Sequence, residues 1–130
     1  MNEAGAQIRS LAAQGSTVYY TARGACAVDA ATGIKLWETQ PRARTPLAVG
    51  GGVLAYGADD KNLYAFDAAT GQEKWRFHSV EASTGPAISG GTVFYGTGAG
   101  DLYAIDAGSD AQKWHAALPG GIAYRLSELR

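Results

Sequence analysis

Two short segments, two histidines and one cysteine are the residues of this chain whose types could do chemistry. Asp59-Asp60-Lys61-Asn62 sets two carboxylates beside an amide, the beginning of an oxygen shell for calcium. A bound calcium ion takes roughly six to eight oxygens, and this tetrapeptide lacks the glycine and distal glutamate of a calcium loop, so it reads as a hairpin turn. Gly96-Thr97-Gly98-Ala99-Gly100 has the glycine density of a phosphate loop, but no helical pattern follows to present its first amides. His78 and His115 stand three and one residues after Trp75 and Trp114. Neither has a second histidine or cysteine at ligand spacing, so both read as surface residues rather than metal ligands.

Cys26 is the only cysteine, which excludes an internal disulfide and a zinc site built on several thiolates. Within the apolar run Ala25-Cys26-Ala27-Val28 it reads as a small buried hydrophobe. Asp29, Asp67 and Asp106 recur at intervals of 38 and then 39 residues. A group repeated with a structural unit serves that unit, whereas catalysis needs an asymmetric set of nucleophile, base and oxyanion donor. No such set can be assembled here. The expectation is a noncatalytic chain with no catalytic residue, no cofactor and no metal.

Charge narrows the partners. Eleven basic and twelve acidic side chains are spread without blocks, so there is no electrostatic footprint for nucleic acid or an anionic membrane. No apolar run approaches the roughly 18 residues of a membrane span, and Met1-Asn2-Glu3-Ala4-Gly5 has neither the basic start nor the apolar core of a signal peptide. A content of 46% hydrophobic and 18% charged residues places the chain among globular proteins.

The elements that carry these residues form a repeat. Ala27-Val28-Asp29-Ala30-Ala31-Thr32-Gly33-Ile34-Lys35-Leu36-Trp37 returns as Ala65-Phe66-Asp67-Ala68-Ala69-Thr70-Gly71-Gln72-Glu73-Lys74-Trp75, and more loosely from Ala104-Ile105-Asp106 to Lys113-Trp114. A fixed period of this length marks a repeat architecture. Each copy holds four short apolar segments rich in β-branched and aromatic residues, bounded by turn residues and without helical period. In the second copy these are Pro46 to Val49, Val53 to Tyr56, Asn62 to Phe66 and Gln72 to Phe77. Gly51-Gly52 and Gly90-Gly91 suit tight hairpins, and Asp29 and Asp67 open turns that Gly33 and Gly71 complete.

The middle strands are apolar at both parities, as Leu63, Tyr64, Ala65 and Phe66 show, so both faces of the sheet must be covered. The last strand alternates Glu73, Trp75 and Phe77 with Lys74 and Arg76 and has one wet face. The pattern predicts an all-β fold of four-stranded antiparallel propeller blades stacked face to face. About three blades are present, near 8–40, 45–80 and 86–118, in a single partial propeller domain. Residues 119–130 read as a truncated blade or a tail. Trp37, Trp75 and Trp114 then fill the gaps between blades, and Ala27, Ala65 and Ala104 leave room for the rings. Tyr19, Tyr20, Tyr56, Tyr64, Tyr95 and Tyr103 fall on the middle strands, where inter-blade packing is their expected role.

The pattern Ala-x-Asp-x-x-x-Gly-x-x-x-Trp, preceded by Leu-Tyr in two copies, resembles the repeat of the quinoprotein-like eight-bladed β-propellers over roughly residues 11–118. The third copy departs from it, with Gly108-Ser109-Asp110-Ala111 in the turn. The resemblance implies that the tryptophan docks each blade onto the next. It also implies two functional classes. Some members are dehydrogenases holding pyrroloquinoline quinone and calcium; others are cofactor-free, including the propeller lipoprotein of the bacterial outer-membrane barrel-assembly machine. The dehydrogenase site uses a vicinal cysteine pair, which a chain with one cysteine cannot make.

The expected function is therefore a noncatalytic scaffold for protein–protein interaction, with a protein partner or further blades on its open faces, and self-association through those faces. The alternatives are a fragment of a quinoprotein dehydrogenase and a propeller that binds a small ligand. The resemblance implies a periplasmic or cell-envelope location.

Overall fold

The computed structural model describes residues 7–78, 85–98, 100–109 and 111–117. They form three four-stranded antiparallel sheets, each a meander in chain order. The first holds β1 (Ser10–Gln14), β2 (Thr17–Thr21), β3 (Ala25–Asp29) and β4 (Lys35–Glu38). The second holds β5 (Ala48–Gly50), β6 (Val53–Gly57), β7 (Asn62–Asp67) and β8 (Glu73–His78). The third holds β9 (Ala87–Ser89), β10 (Thr92–Gly96), β11 (Asp101–Asp106) and β12 (Gln112–Ala117). The fold is thus all-β and propeller-like. Residues 119–130 lie outside the described residues.

The first strands of successive sheets approach one another, β1 to β5 and β5 to β9, and so define the inner side of the array. Leu47 N–H donates to Ser10 Oγ across the first of these junctions at 3.1 Å. The amphipathic fourth strands lie at the opposite edge of each sheet. In β8, Trp75 is buried while Glu73, Lys74 and Arg76 are exposed.

Two apolar seams hold the sheets together. Leu54, Tyr56, Tyr64 and Phe66 of the second sheet meet Tyr19, Ala25 and Ala27 of the first. The opposite face of the second sheet, Val53, Ala55, Leu63 and Ala65, meets Val93, Tyr95 and Ile105 of the third. Period two divides β6 and β7 between the two seams, which is why every residue of β6 is buried. Burying apolar area at about 25 cal/mol per Å² is the dominant stabilising term, and among the described residues only the second sheet has a neighbouring sheet on both faces.

One local irregularity recurs in every sheet. The register between the third and fourth strands shifts immediately before the tryptophan pair, at Ala27/Val28, Ala65/Phe66 and Ala104/Ile105. Such a bulge bends the strand and re-aims the side chain that follows. It leaves each tryptophan directly opposite an alanine: Trp37 opposite Ala27, Trp75 opposite Ala65 and Trp114 opposite Ala104.

Candidate functional site

The tryptophan and the turn of the next sheet make one recurring site. Trp37 Nε1 donates to the Ala68 carbonyl at 3.1 Å, and Tyr19 Oη donates to the same oxygen at 3.3 Å. The two rings lie 6.0 Å apart. The turn that offers this carbonyl is shaped by Asp67, whose carboxylate accepts the Ala69 N–H at 2.8 Å and whose carbonyl accepts the Gly71 N–H at 2.7 Å. Gly71 adopts φ +79°, and a Cβ there would fall 2.5 Å from Trp37 Cδ2. Only glycine satisfies both conditions, the left-handed backbone and the close approach of the indole.

At the second seam Trp75 Nε1 donates to the Ala107 carbonyl at 2.8 Å. Asp106 shapes that turn by accepting from the Gly108 N–H and the Ser109 hydroxyl at 3.2 and 2.9 Å. The Ser109 hydroxyl, with further help from the Gly108 amide and Lys113, holds the Asp106 carboxyl below the usual carboxylate range. Asp110 stands where the second copy has Gly71 and lies outside the described residues.

The two ends of the array are different. Asp29 accepts from the Thr32 N–H and hydroxyl, and Gly33 takes φ +76° with nothing within 4 Å of a built Cβ. Trp114 is 45% exposed, with its ring 6.2 Å from Phe94. Among the described residues, no tryptophan faces the Gly33 turn and no turn faces Trp114.

A second feature, at the first seam, carries no motif of its own. Tyr56 Oη donates to the Pro41 carbonyl at 2.6 Å and shares a 2.8 Å hydrogen bond with Thr39 Oγ1, which accepts the Ala25 N–H. The tyrosine thereby pins the 39–46 connection between the first two sheets to the seam. Burial pushes the Tyr56 phenol up to about 12. Burial likewise pushes Tyr95 up to about 12, partly opposed by Arg44. The Tyr95 hydroxyl has no hydrogen-bond partner among the described residues. Tyr20, Tyr56 and Tyr95 occupy one register position in the three sheets, the only sequence signal for this arrangement.

The other chemical residues are used locally. Asp60 accepts from Tyr64 Oη at 2.5 Å and from the Asn62 N–H at 3.1 Å, while Arg42 pairs with Asp59 at 3.4 Å. Burial opposes ionisation of Asp60, yet these hydrogen bonds and the Arg76 charge hold its carboxyl below the usual range. The Arg76 guanidinium sits 5.0 Å from the centre of the Tyr64 ring. Carboxylates engaged in this way do not converge on a cation, and no group of three or more metal-ligating side chains occurs among the described residues. The glycine-rich segment, described except for Ala99, leads from β10 into β11 rather than into a helix. His78 is exposed and 3.1 Å from Asn62 Oδ1; His115 is 3.0 Å from Asp101 Oδ1 and stacks on Tyr103 at 4.6 Å. Cys26 is buried in β3. Within the described residues, the donors that a quinone with calcium would need do not come together.

Four-stranded meanders joined face to face, each bridged to the next by a tryptophan, define a β-propeller repeat array. The chain belongs to the family described as outer membrane protein assembly factor BamB, whose model matches residues 2–121. No curated protein matches the chain. Among solved structures it is similar to BamB from Moraxella catarrhalis, with a TM-score of 0.71 and 23% identity over 84% of this chain and 35% of that one. A europium-containing methanol dehydrogenase matches with a TM-score of 0.72 and 19% identity over 85% of this chain and 25% of that one. The computationally designed Ika8 protein gives 0.75 and 21%, over 88% of this chain and 37% of that one. The chain therefore spans between a quarter and somewhat over a third of each protein's length. At these identities the likeness is one of fold.

Proposed function

We propose that this chain is a noncatalytic β-propeller scaffold for protein–protein interaction, of the kind that serves outer-membrane protein assembly. The observation that carries the reading is the use of the repeated residues. Trp37, Trp75, Asp67, Asp106 and Gly71 all shape or fill seams between sheets, leaving no asymmetric acid–base set among the described residues. Membership in the family named for an outer-membrane assembly factor supports this reading of the partner. The test is binding of the purified chain to detergent-solubilised outer-membrane assembly machinery by biolayer interferometry. A saturable response supports the scaffold, and no response up to about 100 µM, well beyond ordinary specific affinities, counts against it.

The resemblance in fold to a methanol dehydrogenase supports a second reading, a piece of a quinoprotein enzyme. Pyrroloquinoline quinone and calcium supplied together distinguish the two. Stoichiometric quinone absorbance on the protein with dye-linked alcohol oxidation would replace the scaffold by the enzyme.

A further inference from the structure

Four arginines that are scattered along the chain are gathered by the fold where the first two sheets meet. Residues 42–44 run extended between the turn that follows β2 and the turn that follows β6. Ala43 N–H donates to the Arg23 carbonyl at 2.6 Å on one side, and Ala43 bridges Ala58 on the other. Asp59 N–H donates to the Arg42 carbonyl at 2.9 Å, and Arg44 N–H to the Gly57 carbonyl at 2.8 Å. Ala43 is buried while Arg42 and Arg44 are exposed, so period two sets both guanidinium groups on the outer side of one extended segment. Arg23 lies beside this segment, and Arg9, whose N–H donates to the Thr21 carbonyl at 2.8 Å, stands at the same end of the first sheet. Both are exposed. Arg42 pairs with Asp59 at 3.4 Å, whereas Arg9, Arg23 and Arg44 make no ion pair among the described residues.

We infer that this arginine cluster binds an extended acidic segment of a partner protein, with carboxylates at alternate positions. The inference rests on the scaffold reading above and adds to it the surface used and the chemistry of the partner. Arg42 and Arg44 are two residues apart in extended backbone, about 7 Å, which is also the distance between alternate side chains on one face of another extended segment. Each guanidinium offers a planar fork that takes a carboxylate through two parallel N–H···O bonds. Arg23 and Arg9 continue the row over the first sheet. A long polyanion is a poorer match, because the chain has a net charge of -1 and Asp59 sits among the arginines, so the attraction is local rather than a field over the whole surface. The large aromatic side chain that is exposed among the described residues, Trp114, belongs to the third sheet, so no ring stands beside these arginines to stack a nucleic-acid base.

Fluorescence anisotropy of a labelled peptide alternating glutamate and serine, titrated with the chain from about 1 to 500 µM, tests this over the range of modest affinities. The expected result is saturable binding that weakens as salt is raised, and none when glutamine replaces glutamate. Two glutamates two residues apart bind more tightly than two adjacent ones, whose side chains point to opposite faces. Arg23→Ala and Arg44→Ala alter exposed side chains and keep the fold by circular dichroism. Each weakens binding at least about fivefold, the scale of an interface hot spot. Asp59→Asn releases Arg42 and tightens binding. Absence of saturable binding overturns the inference, as do indifference to the arginine variants, indifference to the spacing of the glutamates, and tighter binding of a single-stranded oligonucleotide or of phosphatidylglycerol vesicles than of the peptide. The scaffold reading fails separately. If the assembly machinery binds the wild type and both arginine variants alike, the scaffold stands and this surface falls; if the peptide binds as expected and the machinery does not, this surface stands and the assembly partner falls.

Discussion

The indole of Trp37 occupies the space where a side chain on Gly71 would begin, with its Cδ2 2.5 Å from the built Cβ. Two residues 34 positions apart, in different sheets, therefore constrain each other: the ring requires the bare glycine, and the glycine turn offers the carbonyl that the ring binds.

Gly71→Ala and Gly33→Ala separate backbone strain from the seam. Both sites are left-handed, at φ +79° and +76°, so alanine costs each about 1–2 kcal/mol. Only at Gly71 does the new methyl meet an indole, and overpacking adds a further ~1–3 kcal/mol. Urea melts are expected to show the Gly71 variant as clearly the less stable, and equal losses at the two sites would remove the close contact from the account.

Truncation of the three tryptophans should be unequal. Trp75 is 6% exposed and bonded to Ala107, so Trp75→Ala is expected to cost about 3–5 kcal/mol. Trp114→Ala, measured at a concentration where the chain is monomeric, should cost less than about 1 kcal/mol. Equilibrium denaturation followed by circular dichroism reads both, and a Trp75 loss below about 1 kcal/mol would place that ring outside the seam.

Tyr56→Phe and Tyr95→Phe remove the same atom from the same register position with different consequences. The Tyr56 hydroxyl holds Thr39 and Pro41, so its removal should cost about 1–2 kcal/mol, whereas that of Tyr95, which has no partner among the described residues, should be close to neutral. Denaturant midpoints of the two variants check this, and equal costs would count against it.

Alkaline unfolding follows from the same two phenols. In the folded chain both are pushed up to about 12, while unfolded tyrosine ionises near its ordinary value of about 10. Between those values the unfolded state has lost protons that the folded state keeps, so stability is fully present below about pH 10 and falls as pH rises toward 12. Melts at a series of pH values from 9 to about 12 should show that fall, and replacing both tyrosines by phenylalanine should flatten it.

The number of sheets, the order of their strands and the turns were legible in the residues themselves. Local rules decide them: a period of 38 and then 39 residues, short apolar runs at both parities, and Asp and Gly at the spacing a turn requires. The placement of Val53 to Gly57 in a sheet covered on both sides is of this kind, because period two leaves no other way to bury both sets of side chains. The roles of individual side chains belong to the tertiary structure. Trp37, Trp75 and Trp114 end the same pattern, yet the first two dock on the turn of the next sheet and Trp114 is exposed, because among the described residues no sheet stands opposite it. The bulge before each tryptophan left no mark of its own among the residues, since it is a property of pairing between two strands. Tyr56 and Tyr95 are likewise identical in pattern, yet only the Tyr56 hydroxyl finds partners among the described residues, in the 39–41 segment that joins the first two sheets. Local conformation is written in residue type and spacing; contacts between distant segments exist only once the sheets have stacked.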